Sequence, residues 1–419
     1  MNTELTKIHP CFNKEAAGTR ARIHLPVAPK CNIQCKYCSR KYDCMNESRP
    51  GVTSDVLNPF QAASYLEKVA EKIDIAVVGI AGPGDAFAEP EKTLETIHRC
   101  KEKLPEAIFC LSTNGLALPE HIGELSEAGV THVTVTMNTL DVEIGQNIYA
   151  WARFNKKNYR GADAARLLID RQIESVRLLK ESGITVKINT ILIPGINESQ
   201  IIPIAKMAQH YDVDLMNVIP LIPVEGTAFE NFEEPSCRDV ESFRSAAGEF
   251  VDQSRHCKRC RADAVGILGE DTNAEIRLLL EESSQLGEGF TEERTKIAFV
   301  SREGVLVNQH LGEAGEFYIY EPTKDELQIT DIRKAPAAGG GNSRWKEVAE
   351  ILNDCAYVLT GGAGDNPVRI LGDTGLSVLS IEGLAHDAAK KIFSGESVKH
   401  LKVRKSCKAG SCGSGNGCD

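Results

Sequence analysis

No stretch of this 419-residue chain approaches the roughly 18 consecutive apolar residues of a membrane span. The opening MNTELTKIHPCFNKEA has no basic segment followed by an apolar run. Both absences predict a soluble, cytoplasmic protein with no membrane partner. A basic surplus is missing as well. The formal net charge is -11 and no block of like charges is long enough to form an interaction tail, so a nucleic-acid partner is not expected. What is present is an ordinary globular composition, 42% hydrophobic, over a length that accommodates two or three domains. Cysteine is the exception, with fourteen residues. In a small secreted chain these would suggest disulfides. Clustered at metal-like spacings in a large cytosolic one, they read as ligand thiolates in a reducing compartment.

The densest cluster is CNIQCKYCSRKYDC, which contains Cys31, Cys35, Cys38 and Cys44. The first three have the spacing Cys-x3-Cys-x2-Cys, which lets one loop wrap three corners of a cubane iron-sulfur cluster, whereas a plain electron carrier supplies four cysteines. The missing fourth ligand leaves one iron open, and an open coordination position is where a small molecule is held and activated. A zinc knuckle is the alternative, although zinc sites usually pair Cys-x2-Cys with a second such pair. The spacing, with Tyr37 just before the third cysteine, resembles the radical S-adenosylmethionine (SAM) superfamily. That resemblance implies a 4Fe-4S cluster whose open iron chelates the amino and carboxylate groups of SAM.

From Arg22 to about Cys260, β-rich runs alternate with amphipathic helical runs. Strands are expected over 22–28, 74–80, 107–112, 131–137, 184–192 and 215–219. Helices are expected over 59–72, 91–103, 120–128, 164–181, 199–210 and 240–255. Six such units predict an α/β fold, a parallel sheet curling into a partial (β/α)6 barrel with its function at the carboxyl ends of the strands. The unusual residues fall at those ends. Gly82, Gly84 and Asp85 follow strand two, Asn138 follows strand four, and Asn189 and Thr190 lie late in strand five. Ile219 and Leu221 border the end of strand six. All are candidates for SAM contact: Gly82 and Gly84 through exposed backbone groups, Asn189 and Thr190 through hydrogen bonds to ribose or carboxylate, Ile219 and Leu221 against adenine. A tight turn, a strand cap and simple core packing are the respective alternatives.

Further along, HCKRC places Cys257 and Cys260 in a Cys-x2-Cys pair that needs ligands from elsewhere, and Cys44 is the natural third thiolate for a cluster or a zinc ion. Cys11, His24 and Cys110 could together hold another cluster, although each alone reads as a core residue. His9 competes as the nitrogen ligand. Residues 1–265 are thus assigned to the barrel and its ligand extensions, and 266–293 to a helix (274–282) and linker. Residues 294–404 form a smaller α/β domain, with strands KIAFVS, EFYIYE and 356–359 and helices over 343–353 and 384–393. Residues 405–419 form a glycine-rich tail carrying Cys407, Cys412 and Cys418.

Taken together, HPCF, IHLPVAPKCNIQCKYCSRKYDCMNESRPGV, AGPGDAF, CLSTNGLALPEHI and CKRCRADAVGILGED resemble the NifB family of nitrogenase cofactor biosynthesis enzymes over about two-thirds of the chain. The remainder, with VNQHLGEAGEFYIYE and His310, is similar to the NifX and NafY cofactor-binding domains, which implies a ribonuclease H-like fold. The resemblance implies a lyase-type enzyme of nitrogen fixation. It would fuse two precursor 4Fe-4S clusters with a sulfur atom and a SAM-derived carbide into an eight-iron cluster. Carried over by motif, Cys31, Cys35 and Cys38 hold the SAM cluster; Cys11, His24 and Cys110 hold one precursor; Cys44, Cys257 and Cys260 hold the other, three clusters in all. Glu47, Ser48 and Arg49 become candidates for moving protons or holding SAM. Expected partners are iron-sulfur cluster donors, a low-potential electron donor such as ferredoxin or flavodoxin, and carrier or scaffold proteins of nitrogenase assembly.

Overall fold

The computed structural model describes residues 3–48, 51–269, 273–284, 290, 294–322, 327–393, 398 and 401. The chain divides into two compact units, Met1–Ser283 and Ser284–Asp419. Arg49 and the three tail cysteines lie outside the described residues.

The first unit is built on a seven-stranded sheet. Its strands are β1 (Ala21–His24), β2 (Ile75–Ile80), β3 (Ile108–Thr113), β4 (Val130–Thr136), β5 (Thr185–Leu192), β6 (Leu215–Pro220) and β7 (Val265–Gly266). Their spatial order is β7-β1-β2-β3-β4-β5-β6, parallel throughout except for β7, which pairs antiparallel with β1. This is the expected partial barrel. Parallel neighbours need crossover helices, and these are α1 (Pro59–Ala70), α2 (Pro90–Lys103), α3 (Ile122–Glu127), α4 (Gly161–Glu181), α5 (Ile201–His210) and α6 (Cys237–Ala247). Each helix is amphipathic; α4, for example, buries Leu168, Ile169, Val176 and Leu179 at helical spacing. Asn58 starts α1 by accepting from the Gln61 amide, while the Gln61 side chain accepts from the Asn58 amide, a reciprocal cap ahead of Pro59.

Two local readings are corrected. Strand β1 ends at His24 and not at Ala28, because Pro26 has no N–H to give and Val27 turns back to the Leu25 carbonyl. His24 therefore does not share a regular strand face with Pro26 and Ala28. Helix α6 ends at Ala247 and not at Arg255, because the following chain folds back on β6: Met216 donates to the Asp252 carbonyl and Ser254 donates to the Met216 carbonyl, both at 2.8 Å. A small three-stranded sheet (Ile33–Cys35, Tyr149–Phe154, Lys157–Arg160) was not legible beforehand. Its hairpin turns through Asn155 and Lys156, both left-handed, without the glycine that would have signalled it. This sheet braces the cysteine loop, with Arg153 donating to the Asn32 carbonyl and Lys36 to the Ile148 carbonyl.

The second unit has a five-stranded sheet of β8 (Lys296–Phe299), β9 (Glu316–Pro322), β10 (Leu327–Lys334), β11 (Cys355–Thr360) and β12 (Ser377–Ser380), in the order β10-β9-β8-β11-β12. Pairs on the β10 side are antiparallel and those on the β12 side parallel, the mixed α/β arrangement expected for the smaller domain. Strands β10 and β12 and the helix Asp365–Asp373 had not been anticipated. Among the described residues no helix is long and apolar enough to cross a membrane.

At the edge of this sheet Arg333 grips Asp354 with two hydrogen bonds, 2.5 and 2.7 Å, and Lys296 lies 3.3 Å from the same carboxylate. The Arg333 guanidinium holds the Asp354 carboxyl well below the usual carboxylate range. Asp354→Ala is expected to weaken this unit by about 1–3 kcal/mol, measured as faster amide hydrogen exchange in β8 and β11 with the strands of the first unit unchanged. Because the carboxyl is depressed in the folded state, its contribution persists above the unfolded-state value near 4 and fades as pH falls below it, so the difference between variant and wild type should shrink in acid.

Candidate functional site

The cysteine loop is fixed to the barrel by the turn after β2. Gly84 donates to the Ala28 carbonyl and Asp85 to the Lys30 carbonyl, at 2.6 and 2.7 Å. A Cβ on Gly84 would stand 2.1 Å from the Lys30 carbonyl oxygen, so only glycine permits this approach immediately before Cys31. Asp85 then joins this turn to the end of β3. Its carboxylate accepts from the amides of Phe87 and Asn114 and from the Thr113 hydroxyl. Tyr37 is buried, donates to Asn46 at 2.6 Å and accepts from the Asn138 amide at 2.7 Å.

Among the described residues, two adjoining cavities at the carboxyl ends of the strands hold the candidate ligands. The first is lined by Cys31, Cys35, Cys38 and Cys44 with Arg40, Gly84, Asp85 and Asn114. The second, in the barrel lumen, is lined by Cys11, His24, Cys110, Cys257 and Cys260 with His9, Phe12 and Lys187. Glu47 and Ser112 line both, so the cavities adjoin. Cys44 lines the cavity of the loop cysteines, and Cys257 and Cys260 line the adjoining one with Cys11, His24 and Cys110. Among the described residues no three His, Cys, Asp or Glu side chains converge tightly enough for a single metal ion. A cluster binds each cysteine at a different iron, so its ligands stand further apart than those of one ion.

Burial raises the thiols in both cavities, Cys31 to about 12 and Cys11 to about 11, with Cys35, Cys44 and Cys110 also displaced upward. A buried thiol without a cation stays protonated, whereas an iron-bound one is a thiolate. The donor set therefore fits a cluster of positive irons. Fixed cations also face these sulfurs. Arg22 donates to Cys260 Sγ at 3.1 Å, and Arg40 lowers Cys31 and Cys38 against the effect of burial.

The histidines are separated by their tautomers. His24 Nδ1 lies 3.0 Å from the Arg261 carbonyl, which can only accept, so the proton sits on Nδ1 and the Nε2 lone pair is free. A carbonyl behind a ligating imidazole is the usual support for a metal-binding histidine. Nε2 and Cys110 Sγ both lie over Gly79, where a Cβ would be 3.5 and 3.3 Å from them. His9 is the reverse: its Nδ1 accepts from the Cys11 amide at 3.1 Å, so its proton is on Nε2. Burial keeps both rings neutral, His24 at about 4. His24 thus presents a free nitrogen lone pair, and His9 an N–H donor.

Of the remaining candidates, Asn189 lines the lumen cavity and donates to Glu47 Oε1 at 2.8 Å. Burial pushes the Glu47 carboxyl upward. Thr190 is turned to the other side of β5, where its hydroxyl donates to the Met137 carbonyl. Asn138 is buried; its side-chain amide donates to Tyr37 and accepts from the Ile191 N–H, and its backbone carbonyl accepts from the Asn197 side chain. Ser48 is buried and donates its amide to the Cys44 carbonyl. Gly82 adopts a left-handed φ of 135°. Ile219 and Leu221 pack in the same apolar cluster as Cys35, Tyr37 and Met45.

Lys187 was missed. It sits on the inward face of β5 between apolar neighbours, and the alternation in TVKINTIL, with Lys187 and Asn189 on one face and Val186 and Ile188 on the other, was the available signal.

The model of the radical SAM superfamily matches residues 25–208, and that of the dinitrogenase iron-molybdenum cofactor family matches residues 293–395. The FeMo cofactor biosynthesis protein NifB of Chlorobaculum tepidum is 47% identical over 99% of this chain and 99% of its own length. The chain belongs to the NifB family. A second member, from Klebsiella pneumoniae, is 39% identical over 88% of this chain and 86% of its own. Among solved structures, Streptococcus suis SuiB bound to S-adenosylmethionine matches 57% of this chain and 51% of its own at 15% identity, with a TM-score of 0.42. As a NifB-family radical SAM enzyme of FeMo cofactor biosynthesis, the chain is implied to use a 4Fe-4S cluster and SAM.

Gly84→Ala should displace the cysteine loop. Anaerobic reconstitution is expected to lose the iron-sulfur absorption of the SAM cluster, while Gly123→Ala, at a helix position with no atom within 4 Å of the added Cβ, should reconstitute normally.

Proposed function

We propose that this protein fuses two 4Fe-4S units, adding a sulfur atom and a SAM-derived carbide, to make the eight-iron precursor of the nitrogenase cofactor. The observation that carries the reading is the pair of adjoining cavities, one lined by the Cys-x3-Cys-x2-Cys thiols and the other by four further cysteines and His24. A single resident cluster would need only the first.

Cys31, Cys35 and Cys38 are the ligands of the resident cluster. Bound there with SAM, that cluster supplies the electron that breaks a sulfonium carbon-sulfur bond and yields a 5'-deoxyadenosyl radical. In the lumen, Cys11, His24 and Cys110 hold one substrate cluster. Cys257 and Cys260 present the second, with Cys44 the further thiolate offered from the adjoining cavity. A neutral imidazole is displaced more readily than a thiolate, which suits a substrate that must be released as product. Glu47, lining both cavities and raised by burial, is placed to accept protons lost as the transferred carbon is stripped of hydrogen. Ser48 and Arg49 are further candidates for moving protons or holding SAM. Gly82, Gly84 and Asp85 shape the wall against which SAM binds, Asn189 offers it an amide, and Ile219 and Leu221 offer it an apolar face. Asn138 and Thr190 act behind that wall as supports.

On this reading the reaction is lyase-type, and it requires a low-potential electron donor such as ferredoxin or flavodoxin and proteins that deliver 4Fe-4S units. The smaller domain, residues 294–404, passes the product to carrier or scaffold proteins of nitrogenase assembly.

Anaerobically reconstituted protein should contain about twelve irons per chain, and Cys257→Ala combined with Cys260→Ala should remove about four while reductive SAM cleavage persists. About four irons in the intact protein, unaffected by those substitutions, would leave an ordinary radical SAM enzyme. Glu47→Gln should keep its iron and its first SAM cleavage but form the eight-iron product about 10²–10⁴-fold more slowly, read in single-turnover assays.

A further inference from the structure

Two donors in the lumen cavity have no acceptor that accounts for them. Lys187 is 7% exposed, on the inward face of β5, and among the described residues is the only lysine or arginine that lines this cavity. Its ammonium lies 5.2 Å from the centre of the Phe12 ring, a cation-π contact. Among the described residues no hydrogen bond or ion pair to its ammonium is seen, and Glu47, which lines the same cavity, acts on it only at longer range. His9 lines the cavity too. With Nδ1 accepting from the Cys11 amide, it carries its proton on Nε2, and that buried N–H has no partner. A buried ammonium and a buried N–H facing a wall of sulfur ligands call for an acceptor rich in negative charge, since an unpaired cation in a low-dielectric site is strongly unfavourable.

We propose that Lys187 is a positioning residue that binds the lumen cavity's ligand through charge, and that this ligand is an anionic, sulfide-rich iron cluster, with the His9 N–H as a second donor to its sulfur. A thiolate-bound iron-sulfur cluster carries net negative charge, and cysteine ligands add to it. Arg22 offsets one of these by donating to Cys260, leaving Lys187 as the central counter-charge for the rest. This inference rests on the cluster-fusion reading.

The test is an anaerobic redox titration followed by electron paramagnetic resonance, in a Cys31→Ala, Cys35→Ala, Cys38→Ala background so that only lumen clusters respond. Lys187→Met should shift the midpoint potential of the lumen clusters to more negative values, because removing a positive charge disfavours the reduced form. It should also lower their occupancy when iron and sulfide are limiting. Lys187→Arg, which keeps the charge, should restore both, and this separates charge from packing if the methionine variant is less stable. An unchanged potential and occupancy in Lys187→Met would overturn the proposal while leaving cluster fusion standing. Absence of any lumen cluster in the parent triple variant would overturn the cluster-fusion reading itself and the Lys187 assignment with it.

Discussion

Taking a thiol out of water while requiring it to act as a thiolate is the constraint on which the first unit depends. Burial lifts the thiols of Cys11, Cys31, Cys35, Cys44 and Cys110 above their ordinary range, so each stays protonated until a positive partner arrives. Only bound iron and a few fixed cations can reverse that. The cations are placed sparingly, with Arg40 at the loop cavity, Arg22 on Cys260 and Lys187 in the lumen. The rest of the barrel keeps these groups buried, so on the proposed reading their ionisation would accompany the loading of iron.

The scaffold meets this demand through close backbone approach. The β2 turn comes against Ala28 and Lys30 so tightly that residue 84 has to be glycine, and the Asp85 carboxylate ties that turn to the end of β3. From the other side, the hairpin Tyr149–Arg160 pairs with Ile33–Cys35. The cysteine loop is therefore held from two directions, while Glu47, immediately beyond it, reaches the boundary between the cavities. Because the cavities share that wall, the proposed radical-forming and cluster-binding chemistries would be neighbours.

Much of this was legible in the chain. Short β-rich runs such as IAVVGI and TVKINTIL, alternating with helical ones, marked the barrel strands, and the cysteine spacing marked an open-iron cluster site. What was not legible depended on long-range pairing. The hairpin at Asn155 and Lys156 uses left-handed non-glycine residues, and its strands make sense only against Ile33–Cys35. Asn138 and Thr190 looked like ligand contacts because they are polar near strand ends, yet their hydrogen bonds are taken up internally. The choice between His9 and His24 could not be made from spacing, because it turns on which carbonyl or amide stands behind each ring.

The most direct test of the central claim follows the carbon. The reconstituted protein is incubated under reducing conditions with precursor clusters, a sulfur source and SAM carrying a labelled methyl group, and the extracted eight-iron cluster is examined for the label. Label retained as a hydrogen-free carbon inside that cluster, together with 5'-deoxyadenosine, is the predicted result. Label recovered only as unreacted SAM or a methylated small molecule, with 5'-deoxyadenosine formed and no eight-iron product, would contradict the account.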